Sequence, residues 1–390
     1  MDTLFRSNGR VRFVARNSIL HYDKVMRVAI LHDYLNQFGG AERVLQVMLE
    51  MYPDADLYTL LYDPERTFGI FERNIKKTSI LDIPFVRKHH RMFIPFMPFA
   101  ANLMKSDKPY DLVLSSTAGY AKGFHVKGKY HISYCHSPLR YAWEVEYLKN
   151  LSFAPWPLKD FFVYPIAKSL RNWDVHAATH VNLFLANSQF ISNKINSYYL
   201  REAEVIYPPV STDIFYPEPN SEHKEYYLMV GRLLYYKGFD ITIRAFNHLK
   251  KPLKIVGAGP EAEKLRALVR SPHIEFLTGI SDDELRKLYS NAKALIFPQI
   301  EDFGLVAAEA QACGLPVIAY KVGGGGEIVI NKQTGLLFGE QSPEAIENAV
   351  KEFETMKFDR RTIAKKAERF SKNNFTQGLA KVIQAAGFSE

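Results

Sequence analysis

The stretch Glu301-Asp-Phe-Gly-Leu-Val-Ala-Ala-Glu309 sets two carboxylates around a glycine turn and the opening of a helix. Phe297-Pro298 closes an apolar strand just before it, and Val306 to Cys313 has helical spacing that stops at Gly314. Strand, loop and helix in that order make one unit of a parallel α/β sheet. The amides of Phe303, Gly304 and Leu305 then fall near a helix N-terminus, where the backbone dipole favours negative charge. One Glu in such a place reads as a capping acid. Two that flank Phe-Gly-Leu suit a polyhydroxylated, phosphorylated ligand, and a sugar nucleotide is the first expectation.

The same rhythm extends both ways. Tyr227–Gly231, Lys254–Val256, Ile274–Leu277, Ala294–Phe297 and Val317–Ala319 are short apolar runs alternating with helical stretches such as Glu261–Arg270 and Asp282–Ala292. Upstream, Arg27–Tyr34, Leu112–Leu114, His131–Tyr134 and Phe184–Ala186 repeat the pattern. Tyr207-Pro-Pro-Val and the prolines after Tyr216 interrupt it, which places a domain junction there. The expected fold is therefore α/β, two doubly wound Rossmann-like domains facing across a cleft. Residues 26–207 form the first and 208–370 the second; residues 1–25, which precede the first strand, read as an N-terminal extension. In such sheets ligands bind at the carboxyl ends of the strands.

Composition bounds the function. The chain has 390 residues, 47% hydrophobic and 24% charged, which suits folded domains rather than disorder. Cys135 and Cys313 are the only cysteines, too few for a disulfide framework or a four-cysteine zinc site, and point to a reducing compartment. No apolar run approaches the roughly 20 residues that span a bilayer, and residues 1–25 lack an apolar signal core. A cytoplasmic protein is expected. The net charge of +8 is concentrated: residues 73–108 hold eight Lys or Arg against Asp82 and Asp107. Phe85, Met92, Phe93, Ile94, Phe96, Met97 and Phe99 lie among them. This suits either an anionic membrane surface or an amphipathic segment packed on its own domain.

Four further sites carry candidate chemistry. In Gln37-Phe-Gly39-Gly40-Ala-Glu42-Arg43 the glycines let backbone approach a phosphate at a helix N-terminus, or simply turn the chain. Gly231-Arg232 ends a strand and Lys237-Gly238 follows, two cations that could neutralise a diphosphate or remain solvated. Tyr134-Cys-His136-Ser-Pro138-Leu-Arg-Tyr-Ala-Trp143 delivers His136 into a stiffened loop, where it could polarise a hydroxyl or serve structure alone. Val322-Gly-Gly-Gly-Gly-Glu327 and Thr334-Gly335-Leu-Leu-Phe338 read as a glycine loop and a turn.

Taken in order, these segments resemble the retaining family-four glycosyltransferases of the GT-B fold over about Met26 to Gly387. The resemblance implies that Arg232 and Lys237 bind the donor diphosphate, Glu309 the nucleoside ribose, and Glu301 the sugar hydroxyls. The amides of Phe303, Gly304 and Leu305 would reach sugar or phosphate, Gly39 and Gly40 would approach from the other domain, and His136 would stand beside the transferred sugar. The base would lie near Gly279 and Ile280. It also implies that the final helix, within residues 371–390, crosses back onto the first domain. The segment Tyr134–Trp143 resembles a subgroup that builds surface polysaccharides, often mannosyltransferases using GDP-mannose. A hexosyl, expected to be mannosyl, transfer to a glycan or lipid-linked acceptor follows, with no metal or other cofactor and no nucleic-acid partner. The four-glycine run is longer than the family's usual pair.

Three alternatives compete. A nucleotide-sugar epimerase or phosphorylase fits the same fold. A nonenzymatic basic protein binding membrane or nucleic acid accounts for residues 73–108 but not for the C-terminal motifs. A dinucleotide oxidoreductase is disfavoured, since Asn-Gln-Phe-Gly-Gly lacks the Gly-x-Gly-x-x-Gly fingerprint.

Overall fold

β1 (Val28–His32) is buried at every residue, as a strand covered on both faces must be. In the computed structural model, which describes residues 26–149, 159–218 and 225–388, it lies inside a seven-stranded parallel sheet. Its companions are β2 (Asp56–Thr59), β3 (Ile75–Thr78), β4 (Tyr110–Thr117), β5 (Gly128–Cys135), β6 (Leu183–Ala186) and β7 (Ala203–Val205), in the order β3-β2-β1-β4-β5-β6-β7. A second parallel sheet contains β8 (Tyr227–Val230), β9 (Leu253–Val256), β10 (Ile274–Leu277), β11 (Ala294–Phe297), β12 (Val317–Tyr320) and β13 (Gly335–Phe338), ordered β10-β9-β8-β11-β12-β13. The fold is thus α/β with two doubly wound, Rossmann-like sheets. The N-terminal extension expected over residues 1–25 lies outside the described residues.

In each sheet the strand order reverses at one place, between β1 and β4 and between β8 and β11. Loops leaving the carboxyl ends of neighbouring strands diverge there and open a crevice. The glycine turn follows β1, His136 follows β5, Arg232 follows β8 and Glu301 follows β11. Topology alone therefore gathers the motif residues of each domain at one edge.

Two chain crossovers join the domains side by side. Val210 N–H donates to Phe370 O at 2.7 Å, and Val210 bridges Ser371 in parallel. Beyond that point the helix Lys372–Ala385 buries Phe375, Leu379, Val382 and Ile383 in the same apolar cluster as Leu45, Met48, Ile132 and Tyr134 of the first domain.

Two local expectations need correction. Thr334–Phe338 reads as a turn, yet Gly335–Phe338 is the edge strand β13. Gly335 leads it because a Cβ there would sit 2.0 Å from Val317 O, so only glycine lets β13 pair with β12. The glycine run reads as a loop, yet Gly324–Ile328 is a short helix. Gly324 N–H donates to Glu301 O at 2.8 Å, and a Cβ on Gly324 would lie 1.7 Å from Phe303 O. The run is the floor on which the Glu301–Gly304 loop rests.

Candidate active site

Two helix N-termini face each other across the interdomain cleft. The helix Gly40–Met51 follows the first glycine turn, and the helix Leu305–Ala312 follows Gly304, whose φ of 100° is the left-handed conformation that glycine accepts. They approach closely: a Cβ on Gly40 would lie 2.5 Å from Leu305 Cδ1. Among the described residues the amides of Phe303, Gly304, Leu305 and Val306 have no protein acceptor. Such amides, with the partial positive charge of a helix start, form an anion site.

A cavity of about 420 Å³ lies between these ends. Gly40, His136, Lys237, Glu301, Phe303, Gly304 and Leu305 all contribute to its wall. Lys237 pairs with Glu301, so a cation and a carboxylate from different loops of the second domain meet inside it. A phosphate would compete for the cation and a sugar hydroxyl for the carboxylate. A larger space of about 530 Å³ adjoins, sharing Arg140 and Asp302 but lacking Glu301, Phe303, Gly304 and His136.

Glu309 stands one helical turn deeper, 8% exposed. Burial, with a smaller push from Asp282, raises its carboxyl to about 7 against the opposing pull of Arg43 and Tyr289. Arg43 comes from the first domain and lies 3.9 Å from Glu309 and 3.3 Å from Asp282. Gly279 and Ile280 immediately precede this Asp282 corner, outside the 420 Å³ cavity. Gly39 stands just behind Gly40, its N–H bonded to Glu42 Oε2 at 2.8 Å. Arg232 is exposed and outside the cavity wall, and its charge is one of several that help lower His90 of the first domain.

His136 extends β5, its N–H bonded to Thr117 O at 2.7 Å and its carbonyl held by Asn187 at 3.0 Å. Burial and the neighbouring His32 push its ring down to about 3, with Asp302 pulling the other way, so the imidazole is neutral. Arg140, four residues on, reaches across the cleft to Asp302. Lys194 joins them at 3.5 Å. Burial raises the Asp302 carboxyl, but these two cations outweigh it and leave it below its ordinary value. Sequence reading gave Arg43, Arg140 and Asp302 no role, although each adjoins a motif it singled out. Their partners lie in the other domain, and only the assembled cleft discloses them.

Residues 211–376 match the family described as glycosyl transferases group 1. An uncharacterized glycosyltransferase of Methanocaldococcus jannaschii is 27% identical over 354 residues, covering 89% of this chain and 94% of the relative. A GDP-mannose-dependent alpha-(1-6)-phosphatidylinositol monomannoside mannosyltransferase of Mycolicibacterium smegmatis is 32% identical over 170 residues, 37% of this chain; the chain spans less than half of that relative, 44%. Among solved structures, Anabaena HepE in complex with UDP superposes with a TM-score of 0.67 at 19% identity, over 92% of this chain and all of that one. Sucrose-phosphate synthase from Thermosynechococcus elongatus does so with a TM-score of 0.65 at 19% identity, over 92% of this chain and 99% of the other. At such identities the superpositions speak for the fold. Residues 211–376 are thus similar to the group 1 glycosyl transferases, in a chain whose fold is that of the GT-B structures.

Proposed function

We propose that the protein transfers a hexosyl unit, mannosyl from GDP-mannose, to a hydroxyl of a glycan or lipid-linked acceptor with retention of anomeric configuration. The observation that carries the reading is the meeting of Lys237, Glu301, His136 and the partnerless amides of Phe303 to Leu305 around one interdomain cavity. Loss of a nucleoside diphosphate builds negative charge on its terminal oxygens. Amides and a cation already fixed at that point stabilise the transition state more than the ground state. In this reading Lys237 and Arg232 take the diphosphate, Glu301 orients the sugar hydroxyls and Glu309 holds the ribose, with Gly39 and Gly40 closing from the first domain. The base lies beside Gly279 and Ile280. No metal or other cofactor is required in this scheme. The departing phosphate takes the acceptor's proton on the face from which the acceptor attacks.

The mannose assignment rests on the segment Tyr134–Trp143 and on the mycobacterial relative, whose name gives its donor. The place of reaction is proposed to be an anionic membrane surface on the cytoplasmic side. Among the described residues no helix is long and apolar enough to cross a membrane. Ile80, Ile83, Phe85, Met92, Phe96 and Phe99 are each at least half exposed, beside Lys88 and Arg91. Apolar side chains ringed by cations suit a lipid interface.

One experiment tests class, donor and place together. GDP-mannose, UDP-glucose and other nucleotide sugars are incubated with the enzyme, with and without lipid-linked acceptors in anionic or zwitterionic vesicles. Nucleotide release that depends on acceptor, is fastest with GDP-mannose and rises on anionic vesicles is expected. Conversion of donor alone would mark an epimerase, and equal rates on both vesicles would remove the docking surface.

A further inference from the structure

Behind His136 runs a file of polar groups drawn from three neighbouring strands and one helix. His136 Nε2 lies 2.8 Å from Ser116 Oγ, and Ser116 Oγ lies 3.2 Å from His32 Nδ1. His32 Nε2 faces Glu42 Oε1 at 3.8 Å, and Glu42 Oε2 accepts the Gly39 N–H at 2.8 Å. His32, Ser116 and Glu42 are 3%, 0% and 3% exposed. Sheet register builds the file: His32 on β1 is paired with Ser116 on β4, and Thr117 with Cys135, so His136 emerges beside them. The file ends at the glycine turn on one side and at the cavity wall on the other.

Hydrogen counting allows two directions along this file, and the Glu42 oxygen facing His32 Nε2 selects one of them. An ionised carboxylate only accepts, a hydroxyl has one hydrogen to give, and a neutral imidazole has one. Glu42 accepts from Gly39 through Oε2, and its Oε1, an acceptor facing His32 Nε2, favours a hydrogen on that nitrogen. His32 Nδ1 is then a bare lone pair that takes the Ser116 hydrogen. Ser116 Oγ has only lone pairs left and accepts from His136 Nε2–H. Among the described residues His136 Nδ1 has no hydrogen-bond partner.

We propose that His32 and Ser116 are positioning residues that hold His136 as its Nε2–H tautomer, so that Nδ1 accepts a hydroxyl hydrogen from the sugar in the cavity. The proposal rests on the glycosyltransferase reading of that cavity. It makes the glycine turn and His136, which the sequence presents as separate motifs, two ends of one device. A buried tautomer set by a second partner costs the active site nothing to reorganise at the moment of reaction.

The test uses the full chain labelled with 15N-histidine. The His136 signals are assigned by their loss in His136→Gln, and long-range nitrogen–proton spectra then report which ring nitrogen carries hydrogen. A protonated Nε2 and a bare Nδ1 are expected, becoming a tautomer mixture in Ser116→Ala. Kinetically, Ser116→Ala and His32→Leu should each lower kcat about tenfold, the worth of one hydrogen bond, while donor KM stays nearly constant. His32→Asn, which leaves an acceptor oxygen where Nδ1 stood, should restore both the spectrum and kcat. A hydrogen on His136 Nδ1 in the unaltered protein, or an unchanged spectrum and kcat in Ser116→Ala, overturns the proposal. The spectra need no substrate, so absence of sugar transfer would sink the functional reading while the tautomer is judged independently.

Discussion

Glu309 and Glu301 are both carboxylates bracketing one loop, yet their surroundings differ. Glu301 is matched by Lys237 from the neighbouring loop, whereas Glu309 is buried and meets Arg43 only at 3.9 Å. Its carboxyl therefore rises from an ordinary 4.5 to about 7. The stability consequence follows from proton linkage: the folded protein holds this proton more tightly than the unfolded chain. The contribution is fully present below pH 4.5, declines as pH rises towards 7 and is gone above it. Since a tenfold change in proton affinity is worth about 1.4 kcal/mol, the loss is about 3 kcal/mol. Glu309→Gln cannot ionise and escapes it. Thermal unfolding of both proteins from about pH 4 to about pH 8 should show the variant gaining on the parent as pH rises; a constant difference in Tm would mean that folding leaves the proton affinity of Glu309 unchanged.

At the scale of elements, the glycine run and the Glu301–Gly304 loop behave as one piece. Gly324→Ala would drive a Cβ to 1.7 Å from Phe303 O, and backbone cannot yield as a side-chain tip can. Overpacking of this kind costs about 1–3 kcal/mol or more, and relief must come from moving the Phe303–Leu305 amides. A lower Tm with a raised donor KM is expected, and a variant with unaltered donor affinity would show that these amides do not touch the donor. Most central strands and the two glycine turns were legible in the sequence because apolar runs bounded by turn residues leave little choice, but the interior strand β2, Asp-Leu-Tyr-Thr, was not read. β3, the sequence Ile-Lys-Lys-Thr, escaped notice as a polar edge strand, and β13 because its leading glycine mimics a turn. Arg140 and Asp302 stand 162 residues apart, and no local pattern announces a pair that only domain packing creates. The His32–Ser116 contact was hidden for a related reason, since it depends on strand register.

Across the whole molecule, the two domains hold each other through caps and charges more than through a shared apolar core. Glu327, on the short helix of the second domain, accepts the amides of Gln189 at 2.8 Å and Phe190 at 2.7 Å, capping the first domain's helix Gln189–Tyr199. Ser188 donates to Asp302 O at 2.6 Å from the same helix start, while Asp302 also holds Arg140 and Lys194. These contacts tie the two domains together; Arg140 and Asp302 also line the 420 Å³ cavity, whereas Glu327 and the amides it caps lie outside its wall. A carboxylate on a helix N-terminus gains from both charge-assisted hydrogen bonds and the dipole. Glu327→Ala should therefore favour an opened arrangement without unfolding either domain, since each keeps its own sheet and core. Domain closure is the step that completes such a site. A loss of about 1.4 kcal/mol from the closed form corresponds to about a tenfold fall in kcat/KM, accompanied by a larger radius of gyration in solution scattering and an almost unchanged Tm. If scattering and kcat/KM both match the parent, the Glu327 cap does not govern closure, and the Arg140–Asp302–Lys194 cluster is left as the contact that does.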